Sequence, residues 1–119
     1  MLRIVTFALL FLVWTSSVAN DSAREYFKFA KFSYDSREYS NALDFINSAI
    51  AIDQDYTSSL ILRAQIYKEL SNYNAMIADA SRVIEMGNQA ISISAQAYLL
   101  RGVAYFHVGN IQMALSDFN

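Results

Sequence analysis

Apolar residues recur every three or four positions along most of the chain after residue 20, and short polar breaks interrupt this pattern. The spacing places the apolar side chains on one face of an α-helix. It predicts five full helices and a partial sixth, at residues 22–36, 39–52, 57–70, 73–86, 93–108 and from 111 to the end. The fold class predicted from this pattern is all-α.

The side chains on the apolar faces form the predicted core, which comprises Tyr26, Phe29, Ala42, Ile46, Ala49, Leu60, Ala64, Tyr67, Ile77, Ile84, Tyr98, Gly102, Tyr105 and Ala114.

The amino-acid composition also supports the helical prediction. The 119 residues include no proline and three glycines, and 55% are hydrophobic. A chain of this length forms one small domain, and the scarcity of Gly and Pro favours long helices over a turn-rich β fold.

Three segments of the chain align with one another: REYFKFAKFSYDSREYSNALDFINSAI, SLILRAQIYKELSNYNAMIADASRVI and QAYLLRGVAYFHVGNIQMALSDFN. Each reads as two amphipathic helices around a polar break. Tyr26 of the first copy corresponds to Leu60 of the second and to Tyr98 of the third, so the second interval is longer than the first by four positions. Four extra residues are therefore expected between the second and third copies, within GNQAISIS.

Small residues recur at matching positions of the three copies, at Ala30, Ala64 and Gly102 in the first helices and at Ala42 and Ala114 in the second. They allow the two helices of each hairpin to approach closely, while large residues at helical spacing fill the space around them. A single hairpin cannot bury both of its faces, so such units are stable when they stack.

The copies resemble the tetratricopeptide repeat family, in which large, small and aromatic residues recur at fixed places. The third copy carries Tyr98, Gly102, Tyr105, Ala114 and Phe118 at these places. The resemblance implies an α-α superhelix, or solenoid, of about two and a half helical hairpins. The repeat domain is predicted at residues 22–119, with repeats at about 23–56, 57–94 and 95–119, the last of them truncated.

Residues 1–19 have the three-part plan of a secretory signal peptide. A short basic start precedes an apolar run from Ile4 to Trp14, and small residues at Ser17 and Ala19 suit a signal peptidase. An uncleaved anchor is the alternative, but a membrane span needs about 20 apolar residues and this run is shorter. The predicted location is the secretory pathway or another extracytoplasmic compartment: the endoplasmic reticulum lumen, the periplasm or the exterior.

A nucleophile loop of the haloacid-dehalogenase phosphatase type is the one catalytic motif suggested, by Asp53 and Asp55 after an apolar run. The repeat register instead places these residues at a helix exit. Such an enzyme would also need a parallel α/β sheet, a downstream lysine and a second acidic pair, and neither the strands nor the acidic pair can be placed in this sequence. His107 is the single histidine, and there is no cysteine. No catalytic, metal or cofactor residues are therefore predicted, and the chain is not expected to be an enzyme.

Arg63 and Arg101 occupy one repeat position, which favours a role in packing or in ion pairs between helices. The net charge of -2 without a basic cluster argues against nucleic acid as a partner. After signal cleavage no membrane association is expected.

The resemblance implies that the first helices of the repeats line a concave groove that binds peptides. The family's groove positions correspond here to Phe27, Lys31, Tyr34, Ile61, Gln65, Lys68, Leu99, Val103 and Phe106. The family's clamp for a carboxylate terminus would use the positions of Phe27, Lys31, Leu62, Gln96 and Leu100. Because these are not the clamp's lysine and asparagine residues, a largely apolar groove without a clamp is predicted.

The function predicted from the sequence is that of a non-catalytic, co-chaperone-like adaptor that binds a protein or unfolded polypeptide. A signal peptide followed by such repeats is also similar to the lumenal J-domain co-chaperones of the endoplasmic reticulum. A bacterial periplasmic or envelope assembly subunit is the alternative. The third repeat stops within its second helix at Asn119, so its uncapped apolar end indicates either a fragment or a surface for self-association.

Overall fold

The structure is a computed structural model, and it describes the backbone of residues 2–119 and the side chains of residues 18–119. The described helices are α1 (Leu2–Asp35), α2 (Tyr39–Ile52), α3 (Thr57–Glu69), α4 (Tyr73–Met86), α5 (Ile91–His107) and α6 (Ile111–Phe118). The predicted signal peptide, residues 1–19, lies almost entirely outside the described side chains and stays a prediction. Within the described residues, no helix has the length and apolar character that a membrane crossing requires.

Helix boundaries agree with the sequence pattern except at the start of α1. The bounds of α2 and α4 match those predicted, and those of α3, α5 and α6 lie within two residues of them. The predicted start of α1 at residue 22 is wrong, since the helix already includes Leu2. No Gly or Pro occurs between Leu2 and Asp35 to end a helix, and long apolar side chains such as Leu and Met have good helix propensity.

The helices form three antiparallel hairpins, α1–α2, α3–α4 and α5–α6, which stack in chain order. Helix α3 touches both α1 and α5, whereas the second helices α2, α4 and α6 do not touch one another in the described part of the chain. The first helices therefore form one continuous layer, here called the first-helix layer. This arrangement confirms the predicted α-α solenoid.

The same turn joins the two helices of each hairpin. Arg37, Ser71 and Gly109 occupy the same position in the three repeats, and all have the left-handed backbone conformation, with φ of 62°, 57° and 84°. In the first turn the N–H of Glu38 donates to the carbonyl of Ser33, and equivalent bonds occur in the other two repeats. These are Schellman motifs, which satisfy the last carbonyl groups of a helix.

Small residues bring the paired helices together, as predicted. Ala30, Ala42 and Ala64 are fully buried, and Ala114 is 2% exposed. At the buried Gly102, a Cβ atom would lie 2.5 Å from Cε1 of the Phe118 ring. This distance is too short for two carbon atoms, so the third hairpin packs closely because this position has no side chain.

Three residues of the predicted core are exposed: Tyr26 (36%), Phe29 (49%) and Tyr98 (40%). Their prediction as core residues was wrong. Tyr26 and Phe29 line an open surface depression that is formed by residues of α1 alone. In the second repeat, by contrast, Leu60 has the first repeat on one side and the third on the other, and it is 1% exposed. Burial at this position depends on neighbouring repeats as well as on the residue.

Two arginine–aspartate pairs link helices at the repeat position noted in the sequence, which confirms the predicted ion pairs. Arg63 donates to both carboxylate oxygens of Asp79, at 2.7 Å each, and also to the side chain of Asn47 in the preceding repeat. Arg101 donates at 2.8 Å to both oxygens of Asp117, and at 3.3 Å to Ser81. Each arginine thus joins three helices.

An aromatic pair replaces the ion pair in the first repeat. Phe29 and Phe45 occupy there the positions that Arg63 and Asp79 have in the second repeat, and their ring centroids lie 5.5 Å apart. Phe29 offers no hydrogen bond to a preceding helix. The exposed side of α1 is therefore apolar where the other first helices carry an arginine.

Asp53 and Asp55 form a helix exit, as the repeat register predicted. The N–H of Asp53 donates to the carbonyl of Ala49, and the Asp53 carboxylate accepts a bond of 3.2 Å from the N–H of Asp55. Asp55 pairs with Arg82 at 3.3 Å on the surface. Both carboxylates serve local structure at the turn between the first and second repeats.

Removing Asp79 should strongly destabilise the fold. The Asp79 side chain is 7% exposed and that of Arg63 22%, so Asp79→Ala leaves a largely buried guanidinium without its carboxylate. We expect the free energy of unfolding to fall by about 3 kcal/mol. Asp55→Ala, which removes the surface pair, should leave it almost unchanged. Urea denaturation of both variants measures this, and equal effects would show that the buried pair contributes no more than the surface one.

The Schellman turns allow a matched test of backbone strain. Gly109→Ala should lower the free energy of unfolding by about 1 kcal/mol, because it puts a Cβ on a left-handed residue. Ser71→Ala, at the equivalent position, should have little effect because serine already bears that cost. Ser71→Gly should raise stability. Thermal denaturation followed by circular dichroism checks all three, and a similar response of the two alanine variants would contradict this account of the turns.

Candidate functional site

The candidate binding surface is the first-helix layer, because all nine predicted groove residues lie on α1, α3 or α5. These helices contact each other in sequence, so their outer faces form a continuous surface across the three repeats. The exposure of the nine residues differs from repeat to repeat. Each repeat therefore contributes differently to the surface.

The α1 part of the surface combines aromatic and charged groups. Phe27 is half-buried and meets the ring of Tyr56 edge-on, with centroids 5.8 Å apart. Lys31 is exposed and donates at 2.8 Å to Asp35. Tyr34 is half-buried beside Lys31. Burial raises the pKa of the Tyr34 hydroxyl above its ordinary value, and the negative charge of Glu69 on α3 raises it further.

The α3 part offers little apolar surface. Ile61 is 7% exposed and belongs to the main core cluster, together with Leu100 of α5. Gln65 is half-buried and Lys68 is exposed. The second repeat therefore presents polar groups to solvent, while its apolar groove position is covered by the third repeat.

The α5 part is the most apolar and the most accessible. Leu99 is 57% exposed and Phe106 is 59% exposed. Val103 lies between them, half-buried, and packs against the core. Leu99 and Ile61 occupy the same repeat position, and the difference in their exposure shows that α5 has no covering helix in the described structure.

Two positions of the family's carboxylate clamp lie in the core. Leu62 is 3% exposed and Leu100 is 9% exposed. Neither carries a hydrogen-bond donor, so neither can hold a terminal carboxylate. The apolar side chains of the layer can instead bury apolar side chains of a ligand. Its separated lysines can contact polar backbone groups of the ligand at the edges of the layer.

Sequence reasoning did not include Ile91 in the surface, although it is 90% exposed at the start of α5. The sequence feature that could have indicated its position is the four-residue difference in repeat spacing. Since α5 has 17 residues and α3 has 13, the additional residues form an extra first turn of α5.

His107, at the other end of α5, stacks on Tyr73 with ring centroids 4.3 Å apart and thus has a packing role. Among residues 18–119, His, Asp and Glu form no group that could hold a metal ion.

Comparison with known proteins supports the repeat assignment. Residues 57–86 match the model of the tetratricopeptide repeat family. The chain is 31% identical over 74 residues to the Hsp70-Hsp90 organizing protein 1 of Arabidopsis thaliana, a match that covers 60% of this chain and 13% of that protein. The chain therefore spans about one eighth of the length of this curated relative.

The fold is also similar to that of a solved structure, the Arabidopsis OM64 TPR domain. The TM-score is 0.77 at 19% sequence identity, over 84% of this chain and 79% of the other. The three stacked hairpins, the family match in the second of them and this structural similarity lead to one conclusion: residues 57–86 match a tetratricopeptide repeat, and the chain has the fold of a tetratricopeptide repeat domain.

Proposed function

We propose that the chain is a non-catalytic, co-chaperone-like adaptor that binds a polypeptide along its first-helix layer in an extracytoplasmic compartment. Tetratricopeptide repeats generally mediate interactions between proteins. The proposal rests on the exposure of Leu99 and Phe106 on α5, at 57% and 59%, on either side of Val103, which packs against the core. Large apolar side chains exposed together on one surface mark interaction sites.

Apolar contact is the proposed mode of binding. Fully burying a leucine or phenylalanine side chain contributes about 1.5–3 kcal/mol. Leu99 and Phe106 together could therefore supply a substantial part of the affinity for an apolar segment of a non-native or partner chain. Lys31 and Lys68 lie on the neighbouring helices, where they can contact acidic or polar groups at the edge of the ligand.

The proposed compartment depends on residues 1–19 alone. Their basic start, apolar run and small residues fit a cleaved secretory signal. A signal peptide ahead of such repeats supports an adaptor of the lumenal J-domain co-chaperone type. The relative named above organises Hsp70 and Hsp90, according to its name, and co-chaperone work of this general kind is proposed here for the chain.

An assembly subunit is the second candidate function. Tyr98, Leu115 and Phe118 of the third hairpin are 40%, 56% and 49% exposed. Tyr98 and Phe118 also line an open depression of about 750 Å³. Repeats stack through faces of this kind, so this surface favours self-assembly or docking to another subunit.

The adaptor proposal predicts that a defined unfolded polypeptide binds to the α5 surface. We expect Leu99→Glu/Phe106→Glu to weaken binding of a labelled, reduced and alkylated polypeptide about tenfold or more, because two charges would face its apolar segments. Phe32→Glu is the matched control, since Phe32 is 73% exposed on α1, outside the predicted groove. Fluorescence anisotropy gives the dissociation constants, and circular dichroism checks the fold of each variant.

Equal weakening by the Phe32 control, or none by the α5 variant, would contradict binding through the predicted groove residues of α5. Sedimentation velocity then tests the second candidate. Concentration-dependent oligomers that are lost in Leu115→Glu would favour the assembly subunit.

A further inference from the structure

Helix α1 extends well beyond the point at which the repeat register places the start of a first helix. The register that aligns Tyr26 with Leu60 also aligns Ser22 with Tyr56, which is the N-cap of α3. The 13 residues of α3 therefore correspond to residues 23–35 of α1. In the structure α1 nevertheless continues back to Leu2 as one helix. The repeat thus has a helix start at Ser22 that the longer helix does not use.

The residues just before this position correspond to a turn in the second repeat. Residues 53–56 lie between the end of α2 and the start of α3, whereas the equivalent residues 19–22 are helical. Ala19 and Asn20 line one surface crevice with Ile52 and Asp53, so the first hairpin ends level with them. The bond between Ala19 and Asn20, which is the predicted signal peptidase site, therefore lies at the place of an inter-repeat turn.

This part of α1 has little to hold it in a helix. Residues 16–22 have the sequence SSVANDS, and all of them except the alanine rank low in helix propensity. Packing adds little, because Val18 is 47% exposed and residues 19–21 are exposed. Within residues 18–35, the first buried side chain is that of Ala23, at 2%. Unwinding of residues 18–21 therefore leaves the buried face of α1 intact.

Ser22 and Glu25 have the spacing of a capping box, S-x-x-E. In this motif the serine hydroxyl accepts a hydrogen bond from the backbone N–H of the glutamate, and the glutamate carboxylate accepts one from the backbone N–H of the serine. A carboxylate in the first turn also suits the positive end of the helix dipole. Tyr56, the N-cap of α3, makes no side-chain cap bond. The sequence therefore provides a stronger cap at Ser22 than at the start of α3.

Both groups of the capping box have other partners in the structure. The Ser22 hydroxyl donates at 3.0 Å to the carbonyl of Val18, one turn earlier. This bond requires Val18 to be helical. The Glu25 carboxylate pairs with Lys28 at 3.1 Å, and their side chains are 57% and 70% exposed, so this pair contributes little to stability. Ser22 and Glu25 can therefore form the capping box once the residues before Ser22 leave the helix.

Hydrolysis of the bond between Ala19 and Asn20 removes those residues. Water adds across the bond and leaves a carboxylate on Ala19 and an α-ammonium group on Asn20. In α1 the backbone groups of this segment are bonded within the helix, whereas proteases cut preferentially in exposed segments without regular structure. Cleavage therefore requires residues 16–22 to be unwound, and their low helix propensity favours this.

We propose that α1 contains a second start at Ser22, which replaces the start at Leu2 when a signal peptidase hydrolyses the bond between Ala19 and Asn20. The Ser22 hydroxyl then becomes the N-cap and accepts a hydrogen bond from the N–H of Glu25. This inference rests on the extracytoplasmic compartment of the proposed function. It specifies the processing site and the helix cap that processing creates.

The processing site is tested by expressing the full chain in eukaryotic cells. We expect the chain recovered from the lumen or the medium to begin at Asn20, as determined by mass spectrometry of its N-terminal peptide after enzymatic removal of N-linked glycans. Ala19→Leu should reduce cleavage at this bond at least tenfold, because a signal peptidase requires a small residue there. Val18→Leu is the matched control and should be processed normally, because the middle position of an A-x-A-like site accepts large residues.

The cap is tested on the processed chain by urea denaturation. Ser22→Ala should increase the equilibrium constant for unfolding about fivefold, because the first helix loses its N-cap, and Ser22→Asp should restore it. Ser48→Ala is the matched control. Ser48 is half-buried like Ser22 and makes the same kind of bond, at 3.2 Å to the carbonyl of Asp44, but it lies inside α2. Its replacement should leave the constant unchanged or lower it, since alanine is the better helix former.

The outcomes separate this inference from the proposed function. If the exported chain begins at another residue, or if Ser22→Ala and Ser48→Ala have the same effect, the inference is wrong and the extracytoplasmic compartment stands. If the chain is not exported, the compartment and the inference fail together. Binding of the reduced and alkylated polypeptide decides the adaptor function in either case.

Discussion

The arrangement of the repeats depends on a half-buried arginine at the same position of the second and third hairpins, Arg63 and Arg101. Arg63 is bonded to Asp79 within its own hairpin and to Asn47 in the hairpin before it. The hydrogen bond with Asp79 raises the pKa of Arg63, so the guanidinium keeps its charge. A planar guanidinium with fixed donors sets both the distance and the angle between these helices. The same residue therefore controls hairpin closure and the stacking of neighbouring repeats.

This stacking determines which apolar residues reach solvent. Each first helix covers the one before it, so Ile61 is buried while the equivalent Leu99 is exposed. The first repeat shows a related effect, since Phe29 takes the place of the arginine and leaves an apolar surface on α1. The accessible surface thus follows from the position of a repeat in the stack. For this reason the first-helix layer is polar at its centre and most apolar on α5.

Most of the fold could be predicted from the sequence, because the repeat pattern determines helix position, turn position and the small residues at close contacts. Ala30, Ala64 and Gly102 were identified in this way. The exposure of Tyr26 and Tyr98 could not be predicted from the same pattern, since it depends on neighbouring repeats as well as on the residue itself. Ile91 was missed for another reason: the wider spacing between the second and third copies shows that residues are added, but not that they extend a helix. The nine groove positions lie on the predicted helices, and whether they bind a ligand stays a prediction.

The proposed binding surface is the first-helix layer, and not the second helices. Hydrogen exchange measured by mass spectrometry tests it directly, with the chain alone and saturated with a bound polypeptide. The account predicts slower amide exchange in α5 and at the adjoining ends of α3 and α1, with α2 and α4 unchanged. Protection confined to the second helices, or to α6 and its exposed Leu115, would contradict it.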